Sequence, residues 1–290
     1  MTPPAPPSRL ILGILCMTTA GVMFSGMGGI AKLLGETYSS LQVSWARAFV
    51  HLIFLGAVFL PRGGIAVLRS RRPGLQLFRA VMLTCSNLCF FYAVTFIPLA
   101  KAAAISMTAP LIVTLLAWPM LGERTTPLRL AAVMTGFLGV IVVIRPGGEL
   151  FHWASFFVIG SATAYGVYQV LTRRVAPFDP PTTSALWAPL TGALGLLAVL
   201  PFVWISPAGP GDMALFFGCG ALGATGHYFV ARAFTYAPAN LVSPFQYFQL
   251  LSAVVVGWAM FGNLPDAATW VGAGVIVVAG LWLGWAQRRR

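Results

Sequence analysis

The chain has 290 residues, of which 58% are hydrophobic and only 8% are charged. Soluble domains carry about 25% charged residues, so this composition excludes a soluble globular protein. The formal net charge of +12 would indicate nucleic-acid binding in a soluble chain. Here most of it lies between apolar stretches, and we expect a lipid bilayer as the partner and no nucleic acid.

Ten apolar stretches, each near the length of about 20 residues that a transmembrane helix needs, follow one another with short connections. They cover residues 10–34, 39–60, 77–97, 99–121, 128–145, 152–172, 182–204, 213–236, 238–261 and 268–286. Because these runs are continuous and do not alternate, they exclude a β-barrel. They predict an all-α integral membrane protein with ten transmembrane helices. Residues 1–9, which are rich in proline, are predicted to be a mobile segment before a first span that is retained.

Basic residues are unevenly distributed between the two ends of these predicted helices. Thirteen of the 18 Lys and Arg residues lie on the side of the N-terminus: Arg9, Arg62, Arg69, Arg71, Arg72, Arg79, Arg124, Arg129, Arg173, Arg174, Arg288, Arg289 and Arg290. Only Lys32, Lys101 and Arg145 lie on the other side. Since cytoplasmic loops collect Lys and Arg, both termini, including the basic segment 287–290, are predicted to be cytoplasmic.

One phrase occurs twice in the chain, as WPMLGER from Trp118 and as WAMFGNL from Trp258, 140 positions later. The same offset pairs several other residues: Ala93 with Ala233, Thr95 with Thr235 and Pro98 with Pro238. The chain therefore divides into two related repeats of five helices each, residues 10–149 and 150–286.

Five helices per repeat is an odd number, so the second repeat is predicted to be inverted in the membrane. The loop charges agree, because the pair Glu123-Arg124 of the first repeat is replaced by uncharged residues in the second. Inverted repeats are typical of secondary transporters, which bind substrate between the repeats near the bilayer midplane.

Three segments carry a resemblance to a known family. They are WARAFVHLIFL in the second predicted helix, FYAVTFIPLAKAAAISMTAPLIVTLLAWPMLGER through the third and fourth, and ARAFTYAPANLVSPFQYFQLLSAVVVGWAMFG through the eighth and ninth. Over essentially its full length the chain resembles the EamA family of the drug/metabolite transporter superfamily. This family typically has a Gly-Glu pair at the ends of its fourth and ninth helices. The chain has this pair as Gly122-Glu123 at the end of the fourth helix, but at the end of the ninth helix it has Gly262-Asn263 instead.

The resemblance implies a 5+5 inverted arrangement around a central cavity and transport of metabolites such as amino acids. Within the family, the chain looks most like the bacterial exporters of aromatic amino acids.

Polar and aromatic residues inside the apolar stretches are the candidate substrate-binding residues. They are Asn87, Phe90 and Tyr92 in the third helix, Tyr165, Tyr168 and Gln169 in the sixth, His227 and Tyr228 in the eighth, and Gln246, Tyr247 and Gln249 in the ninth. Aromatic rings with a few hydrogen-bonding groups suit a large apolar side chain with a zwitterionic head. Each residue taken singly also fits helix packing or interhelical hydrogen bonding.

Four further residues are assigned structural or gating roles. Arg47, inside the second helix, can bind a substrate carboxylate, extend to the interface or pair with backbone carbonyls, and the family resemblance favours a structural role. Gly26 and Gly29 allow close helix approach or bending of the first helix. Pro110 predicts a kink in the fourth helix that suits a gate, and because its twin Leu250 is not proline, we expect the two halves not to be equivalent hinges.

All six Asp and Glu residues are predicted in loops or at helix ends, which disfavours the carboxylate relay that proton-coupled carriers commonly use. His51 and His227 are the remaining groups that can exchange a proton near neutral pH. We therefore predict a facilitator or exporter of aromatic and other neutral amino acids, working by alternating access in the bacterial cytoplasmic membrane. The alternatives are a carrier of S-adenosylmethionine, riboflavin or a carboxylate, and a proton-coupled antiporter.

An enzyme and a channel are the two hypotheses from other functional classes. The sequence shows neither a nucleophile with its base nor the residue spacing of a metal site, and the intramembrane charge is sparse for a channel. We expect no metal and no cofactor, and a monomer or weak homodimer.

Overall fold

A computed structural model of the chain describes residues 7–122, 126–148, 151–236 and 243–288. Its helices are α1 (Pro7–Leu34), α2 (Ser40–Gly63), α3 (Pro73–Val94), α4 (Leu99–Ser106), α5 (Ala109–Leu121), α6 (Pro127–Ile144), α7 (Ala154–Val175), α8 (Pro181–Leu197), α9 (Leu200–Val203), α10 (Pro210–Tyr236), α11 (Phe248–Phe261) and α12 (Ala267–Arg288). Short 3₁₀ turns cover Gly64–Leu68 and Ser243–Tyr247.

The prediction of an all-α membrane protein is confirmed in its coarse form. Seven helical segments of the described chain are long and apolar enough to cross a bilayer: Arg9–Leu34, Ser40–Leu68, Pro73–Val94, Leu99–Met120, Pro127–Ile144, Ala154–Val175 and Pro210–Ala233. The segments Phe245–Phe261 and Ala267–Leu283 are shorter apolar helices, and the predicted span 182–204 is divided between α8 and α9. The number of ten spans stays a prediction.

The contacts between helices are the same when each helix is replaced by its equivalent in the other half of the chain. Helix α1 packs along α10, and the equivalent helices of the other pair, α7 and α3, pack along each other. Helices α2 and α8 pack together, as do α6 and α12, and each of these pairs joins equivalent helices of the two halves. Such reciprocal contacts are what a two-fold relation between the repeats would produce. The inversion of the second repeat stays a prediction.

Equivalent residues of the two halves also make equivalent contacts at opposite junctions. Tyr38, before α2, donates a hydrogen bond from its hydroxyl to Asp212 in the first turn of α10. Its twin Phe178, 140 positions later, carries the guanidinium of Arg72 above its ring, 4.9 Å from the centroid. Since Arg72 is the twin of Asp212, the junction is retained while its charge changes sign, as expected if the two copies face opposite sides.

The fourth and ninth predicted helices are both interrupted, whereas the sequence predicts only a kink at Pro110. Instead of one kinked helix over 99–121, α4 ends at Ser106 and α5 begins at Ala109, because Pro110 has no amide hydrogen to bond to the carbonyl one turn back. The ninth predicted helix is interrupted at Tyr247, where a 3₁₀ turn ends and α11 begins. Tyr247 is equivalent to Met107, which lies at the break between α4 and α5.

Both halves therefore contain an interruption, and the expectation that they are not equivalent hinges stays a prediction. Leu250 is not proline, but Pro244 lies inside the 3₁₀ turn and lacks the amide that a continuous helix requires. Residues 238–242 of that predicted helix lie outside the described part of the chain.

Glycines allow α1 and α12 to approach their neighbours closely. A Cβ atom at Gly26 would lie 3.3 Å from Leu222 of α10, and one at Gly29 would lie 2.6 Å from Val256 of α11. At the crossing of α6 and α12, a Cβ at Gly139 would lie 2.8 Å from the carbonyl oxygen of Gly272. The expected close approach at Gly26 and Gly29 fits this packing, and the bending of α1 stays a prediction.

Candidate functional site

A cavity of about 540 Å³ lies between the two halves of the chain. Its wall is formed by α1, α2, α3, α7, α10 and α12 and by the two interrupted segments, α4–α5 and the 3₁₀ turn before α11. Its volume is within the range of about 300–1,000 Å³ typical of small-molecule sites. Interrupted helices beside the substrate are a recurring feature of secondary transporters, because their free backbone groups can face a cavity.

Most of the predicted substrate-binding residues meet in this cavity. Eight of the eleven line it: Asn87, Phe90, Tyr165, Gln169, His227, Gln246, Tyr247 and Gln249. Arg47 and Pro110 line it as well. Polar side chains within an apolar helix have to face protein or water when the helix lies in a bilayer. Their positions along the sequence therefore predict that they face a cavity or another helix.

Three of the predicted residues do not line the cavity. Tyr92 is 37% exposed and packs against Phe96, with ring centroids 5.1 Å apart. Tyr228 is 57% exposed, because the residue after His227 points about 100° further around the helix. Tyr168 stacks on Tyr165, with ring centroids 5.6 Å apart. It therefore supports a residue of the cavity wall without lining the cavity itself.

Tyr168 belongs to a polar cluster at the predicted cytoplasmic ends of α3 and α7. The guanidinium of Arg79 lies 5.0 Å from the centre of its ring. Arg79 is buried and donates hydrogen bonds to the side chains of Gln76 and Thr172 and to the backbone carbonyl of Ser184. This cluster ties α3 to α7 and α8.

Asp179, between α7 and α8, completes the same cluster. Its carboxylate accepts hydrogen bonds from the Ser70 hydroxyl, from the Arg71 amide at 2.7 Å and from the Gln76 side chain at 2.9 Å. Burial raises the pKa of Asp179, but the hydrogen bonds from Ser70, Arg71 and Gln76 together outweigh it and leave the pKa below its usual value. The carboxylate is therefore ionised at neutral pH and holds this end of the helix bundle together.

Several hydroxyl, thioether and aromatic groups of the wall were missed by sequence reasoning. They are Met17, Phe24, Met27, Ser106, Thr114, Ser161 and Trp285. Ser86 and Ser161 join α3 to α7, with their Oγ atoms 3.1 Å apart and the Ser161 hydroxyl 2.8 Å from the Ser86 carbonyl. Small hydroxyl side chains in apolar runs also serve helix packing, so their spacing gave no separate signal.

Arg47 is the charged side chain of the wall, since none of the described Asp or Glu residues lines the cavity. It is 5% exposed, and its Nε donates to the sulfur of Met27 at 3.3 Å. Among the described residues its guanidinium has neither an acidic partner nor a backbone carbonyl partner. The pairing with backbone carbonyls considered for a fold-locking role is therefore absent from the described part of the chain, and the positive charge faces the cavity.

The interrupted ninth segment is attached to both neighbouring helices. The hydroxyl of Ser25 in α1 donates to the backbone carbonyl of Gln249 at 3.0 Å. The ring of Tyr247 lies against Gly280 of α12, where any Cβ atom would collide with its hydroxyl. Gly280 thus creates the space that keeps Tyr247 at the edge of the cavity.

Comparison with known proteins agrees with this architecture. A riboflavin transporter of Rhizobium johnstonii is 31% identical to the chain, covering 98% of it and 94% of the relative. An S-adenosylmethionine uptake transporter of Rickettsia felis is 24% identical, covering 90% and 88%. A solved crystal structure with 20% identity covers 98% of the chain and 99% of its own, with a TM-score of 0.66, and supports the fold.

These relatives are named for riboflavin and S-adenosylmethionine, so they do not support the specific likeness to aromatic amino-acid exporters. They agree better with the alternative substrates considered from the sequence. The family model described as the EamA-like transporter family matches residues 11–145 and 152–285, one match in each half. The chain therefore belongs to the EamA-like transporter family.

Proposed function

We propose that the chain carries a neutral, flat heteroaromatic metabolite of the riboflavin type across the bacterial cytoplasmic membrane. The observation that carries this proposal is the composition of the cavity wall. Aromatic rings from Phe24, Phe90, Tyr165 and Tyr247 are combined there with the amides of Asn87, Gln169, Gln246 and Gln249, and no acidic side chain among the described residues contributes.

The chemistry of a flavin matches this wall. Its fused rings offer a large face for stacking on aromatic side chains. Its ring carbonyls and imide N–H need donors and acceptors, which neutral amides provide together, and its ribityl hydroxyls suit Ser and Thr side chains. A single amino acid would occupy only a fraction of about 540 Å³, which favours the larger substrate.

The charge of the wall distinguishes riboflavin from S-adenosylmethionine. The latter carries a sulfonium and an ammonium against one carboxylate, so it is a net cation. Arg47 faces the cavity without an acidic partner among the described residues, and like charges repel strongly where the effective dielectric is low. A neutral substrate avoids that repulsion.

Transport by alternating access is supported by the arrangement around the cavity. The two helix interruptions lie at equivalent positions of the two halves and both contribute to the wall. Polar contacts close the bundle at both ends, around Asp179 on the predicted cytoplasmic side and between Tyr38 and Asp212 on the other. Exchange between these two sets of contacts would expose the cavity to each side in turn.

We infer a facilitator that is driven by the substrate gradient, because the described wall offers no carboxylate for a proton relay. The distribution of arginine supports an orientation with both termini in the cytoplasm. Whether riboflavin enters or leaves the cell then depends on its concentrations.

Quenching of riboflavin fluorescence by the purified protein in detergent tests the substrate. Stacking on aromatic side chains is expected to quench the fluorescence in a saturable manner, and an excess of S-adenosylmethionine or phenylalanine is expected not to reverse it. Displacement by phenylalanine would restore the amino-acid prediction. Displacement by S-adenosylmethionine, or the absence of quenching, would also contradict the proposal for riboflavin.

Gly280→Ala is expected to weaken riboflavin binding about tenfold, or about 1.4 kcal/mol, because the new methyl group forces Tyr247 to move. The same fluorescence titration measures the change. Gly274→Ala on the same helix is the matched control, since a Cβ there would meet no atom within 4 Å. Equal affinities of the two variants would show that Tyr247 does not contribute to the site.

A further inference from the structure

The connection between α2 and α3, residues 62–72, is strongly basic and lies on the predicted cytoplasmic side. It includes the 3₁₀ turn Gly64–Leu68. Its four arginines are all exposed: Arg62, Arg69, Arg71 and Arg72. The segment contains no acidic residue, so its positive charges are not neutralised from within.

This segment is held in place although its like charges repel one another. The side chains of Thr183 and Trp187 in α8 donate hydrogen bonds to two backbone carbonyls of the segment, at 2.8 and 2.9 Å. The backbone amide of Arg71 donates to the carboxylate of Asp179 at 2.7 Å. All three bonds use backbone atoms of the segment, so they fix its path without using its guanidinium groups.

The guanidinium groups of the segment form no salt bridge with an acidic side chain among the described residues. Arg62 donates to a carbonyl of its own helix, and Arg72 lies above the ring of Phe178. Neither contact cancels a positive charge. A rigid, exposed surface with several uncompensated arginines therefore faces the predicted cytoplasmic side.

The segment also presents an apolar side chain between its charges. Ile65, in the 3₁₀ turn, is 79% exposed, and the exposed side chains of Leu77 and Phe78 follow in the first two turns of α3. A basic segment with an outward apolar residue is typical of elements that lie in the headgroup region of a bilayer. In that position the arginines are level with the lipid phosphates, and the apolar residues are beside the acyl chains.

The equivalent segment of the second repeat shows that the junction can be built without these charges. Residues 202–212 contain no Lys or Arg. They keep the apolar residue, since Ile205 is the twin of Ile65 and is also exposed. Arginines on the cytoplasmic side help to orient a membrane protein, but orientation does not require that they lie on a segment held in place by hydrogen bonds.

We propose that residues 62–72 bind the phosphate groups of anionic phospholipids in the cytoplasmic leaflet. Arginine binds phosphate through charge-assisted hydrogen bonds, and each basic residue near an anionic membrane surface strengthens binding about fivefold. Because the segment is bonded to Asp179 and to α8, a bound lipid also stabilises this end of the helix bundle. The site does not depend on the identity of the transported substrate.

Native mass spectrometry of the purified protein tests the site by titration with phosphatidylglycerol or with phosphatidylcholine of the same acyl chains. Phosphatidylglycerol is expected to bind about tenfold more tightly or better. Arg69→Gln and Arg71→Gln are each expected to weaken its binding about fivefold, whereas Arg71→Lys keeps the charge and most of the affinity. Arg9→Gln is the matched control, because Arg9 is exposed on the same predicted side but lies outside the segment.

Equal affinities of the unaltered protein for the two lipids would overturn the proposal without any variant. Equal losses in Arg9→Gln and Arg71→Gln would also overturn it, because the lipid would then respond to the whole basic surface. In thermal unfolding, phosphatidylglycerol at ten times its dissociation constant is expected to raise the midpoint by about 3 °C. An equal rise with inorganic phosphate at the same ionic strength would indicate a site for free anions and contradict a lipid site. Riboflavin quenching in the same samples reports the proposed transport function separately.

Discussion

Replacing Arg47 by methionine is expected to leave the protein folded, with a thermal midpoint equal to or above that of the wild type. Insertion of an arginine at the centre of a membrane helix costs about 2.5–3.5 kcal/mol, and the described residues provide no ionic partner that would offset this cost. The same substitution is expected to raise the affinity for S-adenosylmethionine relative to riboflavin by about tenfold or more, because the repelling charge is gone.

Thermal unfolding and competition against riboflavin quenching measure these two effects. Arg47→Lys is the matched control, since it keeps the charge and is expected to keep the preference for riboflavin. A strong loss of stability in Arg47→Met would show that Arg47 holds the fold together, as the sequence resemblance favoured. An unchanged preference would show that its charge does not select the substrate.

Gly139→Ala is expected to lower the stability by about 1–3 kcal/mol, the usual cost of inserting an extra methyl group into a packed interior, and Gly139→Val is expected to lower it further. A Cβ atom at Gly139 would lie 2.8 Å from the backbone carbonyl oxygen of Gly272, and one at Gly272 would lie 2.6 Å from that of Gly139. Because backbone atoms cannot rotate out of the way, α6 and α12 have to separate.

The control for this crossing is again Gly274→Ala on α12. A Cβ there meets no neighbour, and alanine is favoured over glycine within a helix by about 1 kcal/mol, so its stability is expected to be equal or higher. Thermal unfolding followed by size-exclusion chromatography gives the comparison. If Gly139→Ala were as stable as Gly274→Ala, the two helices would not be in the close contact described.

The helical membrane fold could be predicted from the sequence because its signals are local and repetitive. Long apolar runs identify helices, and a fixed offset of 140 positions relates Trp118 to Trp258. The interruption at Pro110 was signalled by the residue itself, although the prediction was a kink and the structure has a break. The matching interruption at Tyr247 was missed, because it arises from a 3₁₀ turn and not from a proline at the twin of Pro110.

The site could be predicted only for side chains whose chemistry is costly in lipid. Gln169, Gln246 and Gln249 have to face a cavity or another helix, and all three line the cavity. Tyr92 and Tyr228 do not line the cavity, and their residue type gave no warning, because tyrosine is also common on the outer surface near the membrane interface.

The features that decide the substrate depend on tertiary structure. That the described residues offer Arg47 no acidic partner becomes evident only when its neighbours from α1 and α10 are known, since such a partner could have come from any other helix. The size of the cavity likewise depends on how both halves pack. The sequence alone therefore gave no cavity volume with which the size of an amino acid could be compared.

Counterflow into proteoliposomes tests most directly that the chain carries riboflavin by alternating access. The vesicles are loaded with unlabelled riboflavin and diluted into a trace of the labelled compound, with and without a proton gradient. A carrier is expected to accumulate label transiently above its equilibrium level, to the same extent in both conditions. Simple equilibration of the label would indicate a channel, accumulation only with the gradient would indicate proton coupling, and no protein-dependent uptake of riboflavin would contradict the proposed substrate.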